Sequence, residues 1–245
     1  MRQFPREFSD LLTVAGRRIL LGKSAADRGI LAGSHQRFAT FSNLIRRESA
    51  ADCMQLLDDN LYQSLRVEQS GIPPESITMM EENYTETLSK TMHIKTAFFR
   101  KKSSRAYVAA GKIGLLTMMY SRSLREFAET VSGYRLDPDY TVQVSCYEQG
   151  DYAGPHNDHH PEEPKMKDGF VDFHIMFTNS AVQHQYLVYE HRGHFSKIVD
   201  INVQGGISIY RLPFWHYTTP LAAKPGCEAE ARRWLLLATF AILTD

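Results

Sequence analysis

YEQGDYAGPHNDHH, residues 147–160, contains a histidine and an aspartate two positions apart, directly after a Gly-Pro bend. In an extended segment His156 and Asp158 share a face, so both side chains can reach one ion. Two histidines and one carboxylate commonly hold a mononuclear, redox-active metal and leave its other positions open. The third ligand that the sequence offers is His216, in GGISIYRLPFWHYTTP (205–220), at the end of an apolar strand pattern. The stretch therefore predicts a metal site formed by these three side chains.

Composition predicts a folded protein without a bias toward nucleic acid or membranes. The chain has 245 residues, of which 43% are hydrophobic, and this is enough for a substantial core. Its 28 Lys and Arg balance its 28 Asp and Glu, so no global field attracts a polyanion. No apolar run reaches the ~18 residues that a membrane span requires. We therefore expect neither a nucleic-acid nor a membrane partner.

Cysteine usage and the N-terminal segment favour a cytoplasmic protein. The three cysteines are odd in number and form no CxxC pair, which disfavours a disulfide framework or a zinc ribbon. The first 23 residues carry several arginines, but Glu7 and Asp10 are atypical of a transit peptide. We expect this segment to form an amphipathic helix that lies on the domain.

The order of the elements predicts a single α+β domain in three segments. Residues 1–35 form an N-terminal helical extension, and residues 36–139 form a helix-rich support region. Residues 140–245 contain short strands separated by Gly, Pro, Asn and Asp, as in a β-sandwich or barrel. Helices followed by strands, without a linker between them, favour helices packed on a β core.

Within the support region, local signals place individual elements. The expected elements are two strands, over 37–45 and 93–102, and three helices, over 49–65, 106–121 and 123–133. Ser49 is the expected N-cap of the first of these helices. Gly133 is the expected glycine at the end of the last.

Four stretches resemble the Fe(II)/2-oxoglutarate-dependent oxygenases, particularly their prolyl-hydroxylase-like branch. They are VQVSCYEQGDYAGPHNDHH (142–160), FHIMFTN (173–179), GGISIYRLPFWHYTTPL (205–221) and RRWLLLATFAI (232–242). The resemblance is weaker upstream of residue 140. It implies a double-stranded β-helix, or jelly-roll, catalytic core over 140–245 with the N-terminal helices packed against it. It also implies Fe(II) as the metal, with 2-oxoglutarate and O2 as co-substrates.

The resemblance assigns roles to five of the residues in these stretches. His156, Asp158 and His216 match the iron ligands of the family. Tyr147 matches a tyrosine that often hydrogen-bonds 2-oxoglutarate, and Thr218 adds a hydroxyl near the co-substrate.

A basic residue on the last strand completes the family pattern. Arg233, followed by Trp234, matches the residue that pairs with the distal carboxylate of 2-oxoglutarate. A guanidinium suits this role because its planar fork binds a carboxylate in bidentate fashion. Arg233 lies later after the second histidine than the family usually places it, so Arg232 and Lys224 remain alternatives.

Two positions depart from the family pattern. Phe177 stands where relatives often have a second tyrosine, and it cannot donate a hydrogen bond. His184 and Gln185 replace a usual Gly-Gly pair.

The remaining histidines have simpler interpretations. His159 and His160 follow the metal motif and are expected to be outer-shell or solvent-facing groups. His174 lies within an apolar strand and is expected to be a core histidine with satisfied hydrogen bonds. His184, His191 and His194 surround a predicted hairpin and are expected at the surface.

The resemblance implies an oxygenase, and the compact chain favours a small-molecule or amino-acid-like substrate. The expected reaction is oxidation of an unactivated C–H bond, with hydroxylation as the default outcome. A protein hydroxylase acting on prolyl or other side chains is the alternative that the branch resemblance suggests. A non-catalytic, cupin-like metal-binding module is a second alternative. Pocket walls and a lid are expected from residues 66–92 and 160–170.

Overall fold

Helices and strands alternate irregularly along the described part of the chain, which comprises residues 3–32, 36–71, 91–158, 164–166 and 169–243 of a computed structural model. The α-helices are α1 (Val14–Leu20), α2 (Arg47–Asn60), α3 (Arg105–Lys112), α4 (Leu115–Met119) and α5 (Arg122–Ser132). The strands before residue 160 are β1 (Phe38–Phe41), β2 (Arg66–Gly71), β3 (Thr91–Phe98), β4 (Thr141–Tyr147) and β5 (Tyr152–Ala153). The later strands are β6 (Phe170–Thr178), β7 (Val182–His184), β8 (Tyr186–His191), β9 (His194–Asp200), β10 (Gly206–Leu212), β11 (His216–Thr218), β12 (Ala222–Ala223) and β13 (Arg233–Ala241). Short 3-10 helices occur at Phe8–Leu11, Ala25–Asp27, Tyr62–Ser64 and Pro164–Met166.

The described strands form three antiparallel sheets. The main sheet has the order β1-β10-β6-β13-β4-β3-β2, and β5 pairs with β3. The second sheet has the order β11-β8-β9, and β12 and β7 form a separate two-stranded sheet. A backbone bridge between His156 and His216 joins the segment after β5 to β11. After β6 the chain leaves the main sheet for β7, β8 and β9, returns at β10, leaves again for β11 and β12 and returns at β13, as expected for the predicted β-helix.

One face of the main sheet packs against the helices. Alternate residues of β6 and β13 enter a large apolar cluster together with side chains of α2 and α5. The cluster members on these elements include Phe173, Ile175, Phe177, Trp234, Leu236, Leu57 and Phe127.

The other face of the main sheet, called the inner face below, packs against the second sheet. Its apolar residues share a second cluster with Leu187 of β8 and include Tyr147, Met176, Tyr210 and Leu235. Because both faces are buried, the central strands read as near-continuous apolar runs. The polar residues that interrupt those runs therefore lie inside the protein.

The N-terminal segment is not the single helix expected over the first 23 residues. A 3-10 turn precedes the seven-residue α1, whose first turn is capped by the Thr13 side chain accepting from Gly16 N. Phe8 is fully buried, with ring centres 5.6 Å from Phe127 and 5.4 Å from Phe173. The segment thus contributes to the core between α5 and the main sheet.

Two boundaries in the support region differ from expectation. The helix expected after Ser49 begins at Arg47 instead, and its N-cap, Arg46, makes no side-chain cap. Ser49 accepts a hydrogen bond from Arg46 Nε, so the predicted N-cap is wrong. The helix expected over 106–121 is broken into α3 and α4 at Gly114, which has φ 77°. A Cβ at this glycine would lie 3.1 Å from the Phe4 carbonyl oxygen, so the N-terminal segment requires the break.

Other expectations are confirmed. The helix α5 ends at Gly133 in the left-handed conformation, and β1 lies within the strand range predicted over 37–45. The strand β3 overlaps the range predicted over 93–102 but begins at Thr91 and ends at Phe98. Strands from the support region join the main sheet, while the division into three segments stays a prediction. No helix in the described ranges is long and apolar enough to cross a membrane.

Phe8→Ala tests whether the N-terminal segment is part of the core. We expect a loss of about 3–5 kcal/mol in the free energy of unfolding, because a buried aromatic side chain is removed. Val14→Ala is the control, since Val14 is 80% exposed and its loss should change the stability by less than about 0.5 kcal/mol. Denaturant unfolding measures both, and equal stability losses would contradict this packing.

Candidate metal centre

Three side chains predicted to bind metal lie together between the two sheets. One potential ligand atom each of His156, Asp158 and His216 lies within 4.8 Å of the others. His156 N donates to His216 O at 3.0 Å, and His216 N donates to His156 O at 2.9 Å. These reciprocal hydrogen bonds hold the two histidines directly opposite each other.

Each histidine ring is oriented by its own backbone. His156 Nδ1 lies 2.6 Å from Gly154 O, and His216 Nδ1 lies 2.9 Å from Phe214 O. A carbonyl oxygen can only accept, so each Nδ1 carries the proton and each Nε2 presents a lone pair. His156 Nε2 lies 3.4 Å from Asp158 Oδ1, and His216 Nε2 lies 3.4 Å from Asp158 Oδ2. The two lone pairs and the carboxylate thus converge.

The surroundings keep His216 in the form that binds metal. Burial, followed by the neighbouring His156, lowers the pKa of His216 to about 4, although Asp158 opposes this shift. The His216 ring stacks on Phe214 with ring centres 4.7 Å apart. Two neutral imidazoles and one carboxylate suit a divalent first-row metal such as Fe(II), Mn(II) or Co(II). The residues present therefore fit the metal that the sequence implies.

Arg233 lies at one end of the inner face. Its partners across the ladders are Tyr147 of β4 and Thr178 of β6. The side chain is 2% exposed; its Nε donates to Ile201 O at 3.2 Å, and its NH1 donates to Gln185 Oε1 at 3.1 Å. Both hydrogen bonds go to neutral groups, and burial lowers the pKa of Arg233. Neither of these two acceptors carries a negative charge that would balance the buried guanidinium.

The two alternative basic residues lie elsewhere. Arg232 points to the other side of β13, where its guanidinium lies 4.1 Å from the ring centre of Tyr62 and 3.5 Å from Glu148. Lys224 follows β12 and is exposed. This geometry favours Arg233 as the residue that faces the cavity.

The two residues expected near 2-oxoglutarate are both buried close to Arg233. The Arg233 guanidinium lies 5.0 Å from the ring centre of Tyr147. Burial raises the pKa of Tyr147, while the charge of Arg233 and the Thr218 hydroxyl oppose this shift. Thr218 Oγ1 accepts a hydrogen bond from Ala153 N at 2.8 Å, which ties β11 to β5.

Two residues near Arg233 were missed by the sequence interpretation. Phe177, which the resemblance places where relatives often have a second tyrosine, packs in the cluster on the helix side of the sheet. Thr178 is the residue that faces Arg233, and its Oγ1 has no hydrogen-bond partner among the described residues. Gln185 is fully buried and also donates to Asp151 O and Thr219 O. The sequence signal for this buried role was a polar residue within the predicted strand run QYLVYEH (185–191).

The other histidines have mixed outcomes. His191 and His194 are exposed, as predicted, but His184 is half-buried. His159 and His160 lie outside the described residues. His174 was expected to be satisfied, but its Nε2 has no hydrogen-bond partner in the described part of the chain. It lies 3.8 Å from Asp172 Oδ2, which is beyond hydrogen-bond range.

His216→Ala tests the metal site directly. We expect the dissociation constant for Co(II) or Mn(II) to rise more than about 100-fold, because even changes outside the ligand shell typically cost about 10- to 100-fold. His191→Ala is the matched control on an exposed hairpin and should bind metal like the wild type. Anaerobic titration calorimetry measures both, and unchanged affinity in His216→Ala would exclude this residue as a ligand.

Comparison with known proteins supports the fold. No model of a protein family matches the sequence, and no curated protein gives a significant match. The structure is similar to an oxidoreductase of the 2OG-Fe(II) oxygenase family from Burkholderia pseudomallei, with 10% identity, a TM-score of 0.54, and 98% of this chain and 93% of that chain covered.

Two further structures show the same likeness. One is a prolyl hydroxylase in complex with a hypoxia inducible factor peptide fragment from Trichoplax adhaerens, with 13% identity, a TM-score of 0.53, and 93% and 92% of the chains covered. The other is a non-heme alpha ketoglutarate dependent epimerase from nogalamycin biosynthesis, with 9% identity, a TM-score of 0.52, and 92% and 82% covered. The chain therefore has the α+β fold with a jelly-roll core that 2OG-Fe(II) oxygenases share, as the sequence predicts.

Proposed function

We propose that this protein is an Fe(II)- and 2-oxoglutarate-dependent oxygenase that oxidises an unactivated C–H bond of an organic substrate. The observation that carries the proposal is the pairing of two features between the sheets. The convergent His156, Asp158 and His216 form one feature, and the buried Arg233, which donates to the neutral Ile201 and Gln185 oxygens, forms the other. A metal and a diacid co-substrate are the ligands that such an arrangement suits.

The three convergent side chains would hold Fe(II). With three protein ligands, the ion would keep positions open for the keto-acid end of 2-oxoglutarate and for O2. When bound, the iron with these co-substrates supplies the oxidising power that breaks the C–H bond. The chain contributes the orientation of the imidazoles, which the Gly154 and Phe214 carbonyls fix before metal arrives.

Arg233 would bind the distal carboxylate of 2-oxoglutarate. A buried guanidinium is costly without a counter-charge, and an incoming carboxylate removes that cost. Gln185 fixes one edge of the planar fork through Arg233 NH1. Thr178 Oγ1 and the Tyr147 hydroxyl lie on strands directly beside Arg233 and would add hydrogen bonds to the same carboxylate.

Apolar side chains would keep water from the reacting atoms. Phe214, Tyr210 and Leu235 are buried around the histidines and Arg233. A low-dielectric enclosure strengthens the ion pair of Arg233 and limits side reactions of the activated site.

A small molecule is the favoured substrate. The related structures include an epimerase from nogalamycin biosynthesis and a prolyl hydroxylase that holds a peptide fragment, so the fold accommodates both substrate classes. A protein hydroxylase remains the alternative, and mass spectrometry of peptides and metabolites incubated with the enzyme separates the two. The cytoplasmic location and the absence of a nucleic-acid partner stay predictions.

Arg233→Ala tests the co-substrate site. We expect the dissociation constant for 2-oxoglutarate to rise about 100-fold, because charge-assisted hydrogen bonds are lost. The measurement is an anaerobic titration of Fe(II)-loaded protein that follows the metal-to-ligand charge-transfer band. Arg232→Ala, one residue away on the other face, is the control. 2-Oxobutyrate, which lacks the distal carboxylate, should bind wild type and Arg233→Ala alike.

The same titration decides the class of protein. A charge-transfer band in wild type establishes that metal and keto acid share one site. If fully iron-loaded wild type gives no band, the oxygenase proposal fails, and the metal-binding module is the function that remains.

Gln185→Met tests whether Arg233 depends on its buried partner. We expect about a tenfold weaker affinity for 2-oxoglutarate, because one neutral acceptor of the guanidinium is lost. Metal affinity and 2-oxobutyrate affinity should not change. Gln183→Met, two residues earlier and exposed, is the control. An equal loss for both keto acids would show a general disturbance of the pocket instead.

A further inference from the structure

Strand β6 carries buried polar side chains that the proposed chemistry does not use. Asp172 and His174 lie on the inner face with Thr178, and each is less than 9% exposed. Asp172 Oδ1, His174 Nε2 and Thr178 Oγ1 have no hydrogen-bond partner among the described residues. An unpaired buried polar atom costs about 1–3 kcal/mol, so each of these atoms calls for a ligand group.

These atoms fall into two groups along the strand. Thr178 lies opposite Arg233, whereas Asp172 lies opposite Thr239. Six residues of antiparallel strand separate Asp172 from Thr178, a span of about 20 Å. A five-carbon diacid held at Arg233 does not reach Asp172. Asp172 and His174 therefore remain available to a different molecule.

Asp172 and His174 lie beside the metal ligands. Tyr210 pairs with Asp172 across the ladder, and its ring centre is 4.3 Å from that of His174. The same Tyr210 ring is 5.6 Å from the ring of His216. A molecule bound at Asp172 thus approaches the metal from the main sheet.

The chemistry of this site selects for a cation. Asp172 Oδ1 has no hydrogen-bond partner among the described residues, and burial raises the pKa of Asp172, while His174 and the Thr239 hydroxyl oppose the shift. Among the described residues, the basic side chain within 4 Å of this carboxylate is His174, whose Nε2 lies 3.8 Å from Asp172 Oδ2. An ammonium offers three donors, enough for Asp172 Oδ1 and a His174 lone pair, and its charge is attracted by an aromatic face. Tyr210 supplies such a ring next to both.

We infer that Asp172, His174 and Tyr210 form the subsite that binds a protonated amine of the organic substrate. The inference rests on the proposed function, because it names the substrate class of that same cavity. The C–H bond that is oxidised then lies close to the amine. Both an amine-bearing small molecule and a lysyl side chain carry this group.

Calorimetry on anaerobic Fe(II)-loaded protein tests the subsite without relying on turnover. The probes are butylamine, its uncharged match 1-butanol, and Nα-acetyl-lysine methylamide, each titrated with and without 2-oxoglutarate. We expect an amine to bind at least about tenfold more tightly than 1-butanol, since a hydrogen bond to a charged group is involved. Preference for butylamine indicates a small-molecule substrate, and preference for the lysine derivative indicates a protein side chain.

Asp172→Asn removes the charge while keeping the shape of the side chain. We expect it to bring amine affinity down to that of 1-butanol and to leave the 2-oxoglutarate charge-transfer band unchanged. Asp58→Asn is the matched control, because Asp58 accepts from Trp234 Nε1 on the helix side of the sheet. Amines that bind no better than 1-butanol to wild type overturn the inference even if the variant fails to fold.

The two proposals fail separately. Amine binding that depends on Asp172 but no 2-oxoglutarate band would sink the oxygenase function and keep the subsite. A normal 2-oxoglutarate band with equal amine affinity in wild type and Asp172→Asn would sink the subsite and keep the oxygenase function.

Discussion

The pair of backbone hydrogen bonds between His156 and His216 is the constraint on which the site depends. The strands β5 and β11 are only two and three residues long, and these bonds at 2.9 and 3.0 Å join their ends. Each histidine also bonds a carbonyl two residues earlier in its own chain. The same local arrangement therefore occurs on both sides of the bridge, and both Nε2 atoms turn toward Asp158. The ligand geometry is set by backbone pairing before any ion is present, which reduces the reorganisation that metal binding requires.

Alternate residues of the main sheet face opposite sides, so one side packs on the helices and the other carries the residues of the candidate site. Along β13, Trp234 and its alternates pack on the helices, while Arg233 enters the space between the sheets. Adjacent Arg232 lies in a partly exposed group with Asp58 and Glu148, where its charge is compensated. Two neighbouring arginines thus have opposite electrostatic situations. A shift of one residue in the register would exchange their environments, moving Arg233 to the acidic group and Arg232 to the inner face, away from Asp58 and Glu148.

Local patterns were sufficient for the features that depend on short segments. The His-x-Asp spacing and the terminal glycine of α5 are each encoded within a few residues, and the structure brings His156 and Asp158 to His216 and ends α5 at Gly133. The local backbone differs from expectation, since Asp158 has φ 54° instead of an extended conformation and His216 begins β11 instead of ending the preceding strand. The errors share another cause. The break at Gly114 is set by Phe4, more than one hundred residues away in the chain, and no local signal reports that contact.

The remaining errors concern which side of a strand a given residue faces. Phe177 and Thr178 are neighbours in a strand whose nine residues are all buried, so burial alone does not tell which one faces the site. Register with Arg233 decides it, and register is a property of strand pairing. The sequence did contain one chemical signal. Asp172 and His174 are two positions apart in an otherwise apolar strand, so they must lie on the same face. Polar groups that interrupt a strand buried on both sides mark the side where a ligand is needed.

Charge is distributed unevenly along the inner face, so ligands of opposite charge are attracted to different ends of it. Arg233 lies at one end and Asp172 near the other, with His216 of the metal site in contact with Tyr210 between the sheets. In the proposed arrangement a dicarboxylate is attracted to the Arg233 end and repelled from the Asp172 end, while an ammonium experiences the reverse. Discrimination then comes from repulsion as much as from attraction, which is a general requirement for specificity. In that arrangement the co-substrate and the substrate would approach the metal site from opposite ends of the inner face, and the opposite charges of Arg233 and Asp172 would direct each to its own end.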